Sequence, residues 1–462
     1  MSEATYERVM RRLAGDRMPT PEQREVIESE DAAILVTAGA GSGKTATMAN
    51  RIAYHVAAGR VSPEEVLGLT FTRKAAGELS QRVDRALGRL RAAGMLPHTA
   101  QASRSSLARP TISTYNAFAS DIAASYGMLV GADPTARLVT EAERFQLMDS
   151  VVAEGAVDSD VASRHSRARI VEVALCLAAG GIDNGVSVER MREFFEGEAA
   201  ALERLGKDPR KFTKGDMADA GMETAEWERL KRDWRALAKA DFALQLACLP
   251  AVEAYMERKR SLGLVEFADQ VATASEVLGR HGRIGEETAS RHRLVLLDEY
   301  QDTSVNQAVF LRRALGGAGE GRSVCAVGDP NQAIYGWRGA SANALADFAV
   351  AFAGEAPVRR LTLSTSFRSD AAILDAANAV AAPLNEAAAG VRKLEARPGC
   401  GPGRVVEARP LFAEDSYRAI ARRIEDVQAE VARTRAAQPE IAVLCRKRSS
   451  IERVADALRE RG

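Results

Sequence analysis

The chain has 462 residues with 63 basic and 63 acidic side chains, 46% hydrophobic and 27% charged content. That length exceeds one hydrophobic core, since cores stop growing at roughly 250–300 residues, so several folding units are expected. Balanced charge excludes a globally basic surface, so any nucleic-acid contact must come from a local groove. No run of about 18 apolar residues is present to span a bilayer. The opening MSEATYERVMRRLAGDRM has neither the apolar stretch of a secretory signal nor the acid-poor character of a transit peptide. Cys176, Cys248, Cys325, Cys400 and Cys445 lie far apart without a C-x-x-C pair. They offer neither a zinc cluster nor a disulfide framework, and reduced thiols in the cytoplasm, away from any membrane, are expected.

In chain order, strands are predicted at AILVT (33–37), VLGLTF (66–71), LVLLDE (294–299), VCAVGD (324–329), LTLS (361–364) and IAVLC (441–445), each beside a turn and a helical pattern. Strands alternating with helices imply a parallel sheet covered on both faces, with ligands at the carboxyl ends of its strands. Between about 119 and 264 strand signals vanish, and Ala-rich helices such as EAERFQLMDSVV and TAEWERLKRDWRALAKADFALQ predict a helical insertion. Within it, Trp227 and Trp234 are seven apart, which is helix-face spacing and favours core packing over base stacking. The loop KDPRKFTKGD, with Lys207, Arg210, Lys211 and Lys214, reads as a solvated loop before a DNA contact. RPGCGPGR (397–404) reads as a surface connection.

The first strand runs into Ala38-Gly39-Ala40-Gly41-Ser42-Gly43-Lys44-Thr45 and then the helical TATMANRIAYHVAAG. This is a phosphate-binding loop in its required strand-loop-helix context. Glycines let backbone N–H groups turn inward around phosphates, the helix start adds a positive dipole end, and Lys44 supplies a point charge. Thr45 is placed to put its hydroxyl on Mg²⁺. Further on, Leu296-Leu297-Asp298-Glu299 delivers two acids at a strand end. Asp298 suits Mg²⁺ through its water shell, and Glu299 suits orienting and deprotonating a water. Together these motifs predict Mg²⁺-dependent nucleoside triphosphate hydrolysis, though not what the hydrolysis drives.

Seven segments follow in order: PTPEQREVI (19–27), AGAGSGKT (38–45), TFTRKAAGELSQR (70–82), STYNAFA (113–119), LLDEYQDTS (296–304), VGDPNQAIYGWRGA (327–340) and LSTSFRS (363–369). The set resembles the UvrD/PcrA/Rep family of superfamily 1 DNA helicases. The resemblance implies an α/β fold: a RecA-like first domain formed by 1–118 and 265–360, a helical subdomain inserted at 119–264, and a partial second RecA-like domain over 361–462. It implies an ATP-driven motor moving 3′ to 5′ on single-stranded DNA and at duplex junctions, in repair or recombination. Two alternatives stay open, an ATP- and DNA-binding module without turnover and the motor part of a helicase-nuclease. By the same resemblance, Gln23 reads the adenine edge, Phe367 stacks on adenine, and Gln332 senses the γ-phosphate and its water. Arg368 reaches that phosphate. Phe71, Tyr335 and Trp337 meet single-stranded bases, with Thr72, Lys74, Tyr115, Asn116 and Arg338 adding contacts nearby.

Four positions depart from the family pattern. Ala46 stands where an arginine is common beside adenine, and Asn116 where a histidine is usual. Ser366-Phe367-Arg368 replaces Asn-Tyr-Arg, and EFADQ at 266–270 replaces Asp-Phe-x-Asp-Leu. The last segment, EIAVLCRKRSSIERVADALRERG, resembles the stretch before the family's second inserted subdomain, and a fragment lacking the later motifs is expected.

Overall fold

The computed structural model describes residues 3–15, 18–97, 109–205, 241–317, 319, 321–354, 357–387, 391–434 and 439–461. Trp227, Trp234 and the basic loop at 207–216 lie outside the described residues.

The strands are β1 (Ala33–Ala38), β2 (Val66–Thr70), β3 (Thr111–Thr114), β4 (Arg137–Leu138), β5 (Leu264–Val265), β6 (Leu294–Leu297), β7 (Ser323–Gly328), β8 (Val358–Leu363), β9 (Thr365–Ser366) and β10 (Glu395–Ala396). Six of them form one sheet in the order β3-β2-β6-β7-β1-β8, and every pairing is parallel. Such a sheet is buried on both faces, and the alternation along its strands shows how. On one face Ile34, Val36, Leu296, Cys325 and Val327 pack with the helices Glu3–Ala14, Lys44–Ala57 and Arg73–Ala92. On the other, Leu35, Leu69, Leu297 and Ala326 pack with Phe118, Val271, Phe310 and Phe348. This is the expected RecA-like α/β architecture, and it aims the carboxyl ends of the sheet strands at one edge.

The helical insertion has its own core, drawn from residues between Met148 and Tyr255. The helix EAERFQLMDSVV forms as expected, over Glu141–Ala153, started by a capping box between Thr140 and Glu143. The sequence boundary at 118/119 falls inside the helix Tyr115–Tyr126, whose Phe118 and Ile122 belong to the sheet-facing core. The boundary at 360/361 falls inside β8, which pairs with β1 from Ala33↔Val358 to Ala38↔Leu363. Sequence periodicity reveals a strand there without revealing which sheet completes it.

Two compact units emerge, one formed by Met1–Arg368 and Val380–Arg397, the other by Ser369–Ala379 and Pro398–Gly462. In the second, the helices Ala413–Thr434 and Ser449–Arg459 pack together and bury Ala421, Val454 and Ala457. The strand expected at Ile441–Cys445 is absent, and Leu444 is 95% exposed. A strand needs a hydrogen-bonded neighbour, and the described residues place none beside it. No single helix among the described residues is long and apolar enough to cross a membrane. The bent pair Arg167–Asn184 and Val188–Ala200 is apolar over its combined length, but Ile170, Val171, Leu175, Val188, Met191 and Phe195 from it line the core of the insertion.

One buried cation ties the N-terminal helices to the sheet. Arg51 is fully buried, and its guanidinium donates to the carbonyls of Val26 at 2.6 Å and Ser29 at 2.8 Å and to Ser323 Oγ at 2.9 Å. His55, one turn on and 4% exposed, is pushed down to about 2 by burial and then by Arg51 and Arg60. The folded state therefore holds it neutral, so its contribution to stability is complete above the unfolded value near 6.5 and is lost as pH falls. Urea titrations should show a loss of roughly 2–3 kcal/mol from this group between pH 6.5 and about 4.5, at 1.36 kcal/mol per pH unit. His55→Leu should flatten that slope, whereas an equal slope in the variant would refute the assignment.

Candidate nucleotide site and nucleic-acid face

The phosphate-binding loop leaves β1 at Ala38 and enters the helix Lys44–Ala57, so Thr45 lies in its first turn. Gly41 and Gly43 have φ of 77° and 81°, the left-handed region that a side chain would strain. A Cβ on Gly41 would also stand 2.6 Å from Arg368 Cβ and 2.7 Å from Ser366 Oγ. Glycine is thus required twice over at Gly41, by conformation and by space. Gly39 is similarly roofed, since a Cβ there would lie 2.1 Å from Leu394 Cδ2.

Opposite the loop, β6 ends in Asp298 and Glu299. Glu299 is the one non-glycine among the described residues with φ in the left-handed region, at 51°. That conformation costs about 1 kcal/mol and is characteristic of functional sites. It brings the Glu299 carboxylate 3.0 Å from Lys44 Nζ, across 255 residues of sequence. Asp298 is 4% exposed, and burial, reinforced by the Glu299 charge and opposed by Lys44, pushes it up to about 7. Burial and Glu299 likewise push Asp302 up to about 6. Three acids around a single lysine make a site with a surplus of negative charge, which a bound cation would relieve.

Gln301 braces these groups. Its amide donates to Glu299 Oε2 at 2.9 Å and Asp302 Oδ2 at 3.3 Å, while its oxygen accepts from the Asp329 backbone at 3.1 Å. Gln332 in turn donates to Asp329 Oδ2 at 2.6 Å. β6 and β7 are therefore joined at their carboxyl ends through side chains. Sequence reasoning passed over Gln301, although an amide flanked by acids in LLDEYQDTS was the available signal.

β8 brings the third part. The Phe367 backbone donates to Gly41 O at 2.8 Å and Ser366 Oγ to Ala40 O at 3.0 Å, so the segment bearing Phe367 and Arg368 lies on the phosphate loop. Gln23 joins it from the other side, donating to Ser42 O at 2.9 Å while its oxygen caps the helix Pro21–Glu28 by accepting from Thr20 N at 3.1 Å. A carboxamide offers two hydrogens and two lone pairs, so one of each remains for a ligand. Glu22, also missed, accepts from Ser364 N and Oγ, each at 2.8 Å, and fastens β8 to that helix.

From the same edge rises a row of rings. Phe71, just past β2, stacks on Tyr335 with centroids 4.6 Å apart, and Trp337 follows at 6.3 Å. The Arg338 guanidinium lies 4.7 Å over Trp337, which is 76% exposed. Thr72 caps the helix Arg73–Ala92 by accepting from Ala75 N at 3.1 Å, and Lys74 is exposed beside Glu78. Asn116 accepts from Gln307 at 2.9 Å. Tyr115 is a correction. It is 2% exposed and its hydroxyl donates to Asp298 O at 2.8 Å, so it faces the acids from inside the core and cannot meet DNA. β3 ends as the helix begins, and that register turns Tyr115 inward.

A sequence profile described as the UvrD/REP helicase N-terminal domain matches residues 19–353. The chain belongs to the UvrD/REP helicase family. It is 28% identical over 369 residues to the ATP-dependent DNA helicase UvrD1 of Mycobacterium leprae, a match covering 78% of this chain and 39% of that protein. It is 26% identical over 370 residues to DNA helicase II of Escherichia coli, covering 78% and 39%. UvrD2 of Mycobacterium bovis matches at 29% over 449 residues, covering 96% of this chain and 54% of that protein. The chain thus spans about two fifths to one half of the length of these curated relatives.

In this UvrD/REP helicase chain the inward Tyr115 has a testable consequence. Tyr115→Phe should lower the unfolding free energy by about 1 kcal/mol, the net worth of one buried hydrogen bond, and leave oligonucleotide affinity at the wild-type value. Weakened DNA binding with unchanged stability would return Tyr115 to the nucleic-acid face.

Proposed function

We propose that this chain carries the ATP site and part of the DNA track of a helicase that couples ATP hydrolysis to 3′–5′ movement on single-stranded DNA, acting at duplex junctions in repair or recombination. The observation that carries this reading is that Lys44, Asp298, Glu299, Gln332 and Arg368 gather at the same sheet edge from which Phe71, Tyr335 and Trp337 project. The names of two relatives, ATP-dependent DNA helicase UvrD1 and DNA helicase II, agree with it.

In this reading the loop amides from Gly39 to Thr45 cradle the phosphates, with Ala38 and Ala40 as its small non-glycine members, and Lys44 takes the terminal phosphate. That exchange frees Glu299 from its ion pair to orient and deprotonate a water, with Gln301 holding the carboxylate in place. Thr45 and Asp298 hold Mg²⁺, which supplies charge neutralisation at the phosphates. The buried Asp298, pushed up to about 7, is a carboxylate short of positive charge and fits that part. Gln332 senses the γ-phosphate, Arg368 stabilises its charge, Phe367 stacks on adenine, and Gln23 uses its spare donor and acceptor on the adenine edge. On the DNA side, Phe71, Tyr335 and Trp337 offer faces that any base can stack on, with Thr72, Lys74, Asn116 and Arg338 at the backbone.

ATP hydrolysis by the 462-residue chain, with and without single-stranded DNA, tests the reading against a Lys44→Ala control. DNA-stimulated turnover that disappears in the control is expected. Turnover indifferent to saturating oligonucleotide would count against a motor. Trp337→Ala should weaken single-strand binding by ~1–3 kcal/mol, about 5- to 150-fold, with little dependence on base sequence. An unchanged affinity would remove Trp337 from the track.

A further inference from the structure

The turn that bears Trp337 and Arg338 is held from two sides. On the sheet side, Ser341 N donates to Thr303 O at 2.9 Å, and Ser304 pairs with Ala340 in an antiparallel bridge. Both partners lie just past Asp298 and Glu299. On the other side stands the end of the helix Arg167–Asn184, which belongs to the inserted subdomain. Its Asp183 fits against Gly339 so closely that a Cβ on Gly339 would lie 2.5 Å from Asp183 Cβ and 2.6 Å from its Oδ2. Gly339 has φ 82°, so conformation and contact both require glycine there. The neighbouring Ile182 carbonyl accepts from Asn306 Nδ2 at 3.1 Å, and Asn306 sits in the first turn of the helix that Ser304 caps.

Asp183 lies within the field of a nearby charge cluster. Burial, then Glu266, pushes it up to about 6, while Arg144 opposes and Asp269 adds to the rise. Glu266 is held by Lys259 at 2.8 Å and by Arg144 at 3.4 Å. Lys259 also reaches Asp269 at 2.6 Å. Lys259 of the inserted subdomain is thus paired with both Glu266 and Asp269 at the start of the helix Phe267–Arg280.

We propose that Asp183 and Asn306 are positioning residues through which the inserted helical subdomain sets the orientation of the Trp337–Arg338 turn for single-stranded DNA. This rests on the reading of that turn as a DNA contact. The insertion acts through packing, so the shape of the Asp183 side chain matters more than its charge. The grip also works in reverse: a strand that pulls on Trp337 pushes on the helix end at Asp183.

The test uses the whole 462-residue chain with Asp183→Ala, Asp183→Asn and Asn306→Ala. Amide hydrogen exchange over 335–341 and the affinity for a fluorescein-labelled oligothymidylate are measured, with the thermal midpoint and ATP-analogue affinity reporting on folding. Asp183→Ala and Asn306→Ala should speed exchange in the turn and weaken oligonucleotide binding about tenfold, in the range of coupling found for contacting residues. Asp183→Asn, which keeps the packing, should stay near wild type. Unchanged exchange in both truncated variants overturns the proposal, as does faster exchange with wild-type affinity. If the wild-type chain binds no oligonucleotide, the reading of the turn as a DNA contact fails. The exchange data alone then decide whether Asp183 holds the turn.

Discussion

The ion pair between Lys44 and Glu299 is the contact on which the site's arrangement depends. Lysine at the start of a helix and glutamate at the end of a strand meet at 3.0 Å because β1 and β6 run parallel in one sheet and end at the same edge. β7 lies between β1 and β6, so the pair also spans a strand. The sheet must be buried on both faces to hold that register, and the two apolar faces supply the burial. Glu299 completes the meeting with a backbone conformation that glutamate rarely adopts. Such strain persists where surrounding contacts overdetermine it, and here Gln301 and Lys44 both grip the carboxylate.

The same pair also compensates the burial of its lysine. Lys44 is mostly withdrawn from water, and the paired glutamate offsets that loss. In the proposed function, an arriving phosphate would compete for the lysine and leave Glu299 free to activate a water. Binding and activation are then one exchange of partners. The Glu22 carboxylate does similar work at the far rim, where it holds Ser364 and so keeps Phe367 and Arg368 over the loop.

Much of this was legible because it is written in consecutive residues. A glycine-rich run between a strand and a helix, or two acids closing an apolar strand, carries its geometry with it, and the strands at 33–37, 66–71, 294–299 and 324–329 lie in the sheet as read. What depended on partners distant in sequence was hidden. β8 reads as a strand, but only its pairing with β1 shows that the first sheet extends past 361. Ile441–Cys445 reads as a strand too, yet nothing beside it completes the hydrogen bonds. Tyr115 looked like part of a nucleic-acid surface by its place in STYNAFA. A one-residue difference in where β3 yields to helix decides whether a ring faces solvent or the core, and periodicity does not resolve that. Gln301 escaped for another reason: an amide has no charge to mark it, and its value lies in bridging two strand ends that only the fold brings together.

The route from the acids at the end of β6 to the aromatic turn is short for a similar reason. Four residues separate Glu299 from Ser304, and over that stretch the chain leaves the strand end, accepts Ser341 N at Thr303 O and caps the helix that holds both Asn116 and Ile182. In the proposed function, a shift of Glu299 on losing Lys44 would have only this short stretch to cross before reaching the base of the aromatic turn. Spatial nearness alone does not establish coupling. The turn is nonetheless clamped on one side by the segment that follows the acid-bearing strand and on the other by a separate helical core, so its place is set by both.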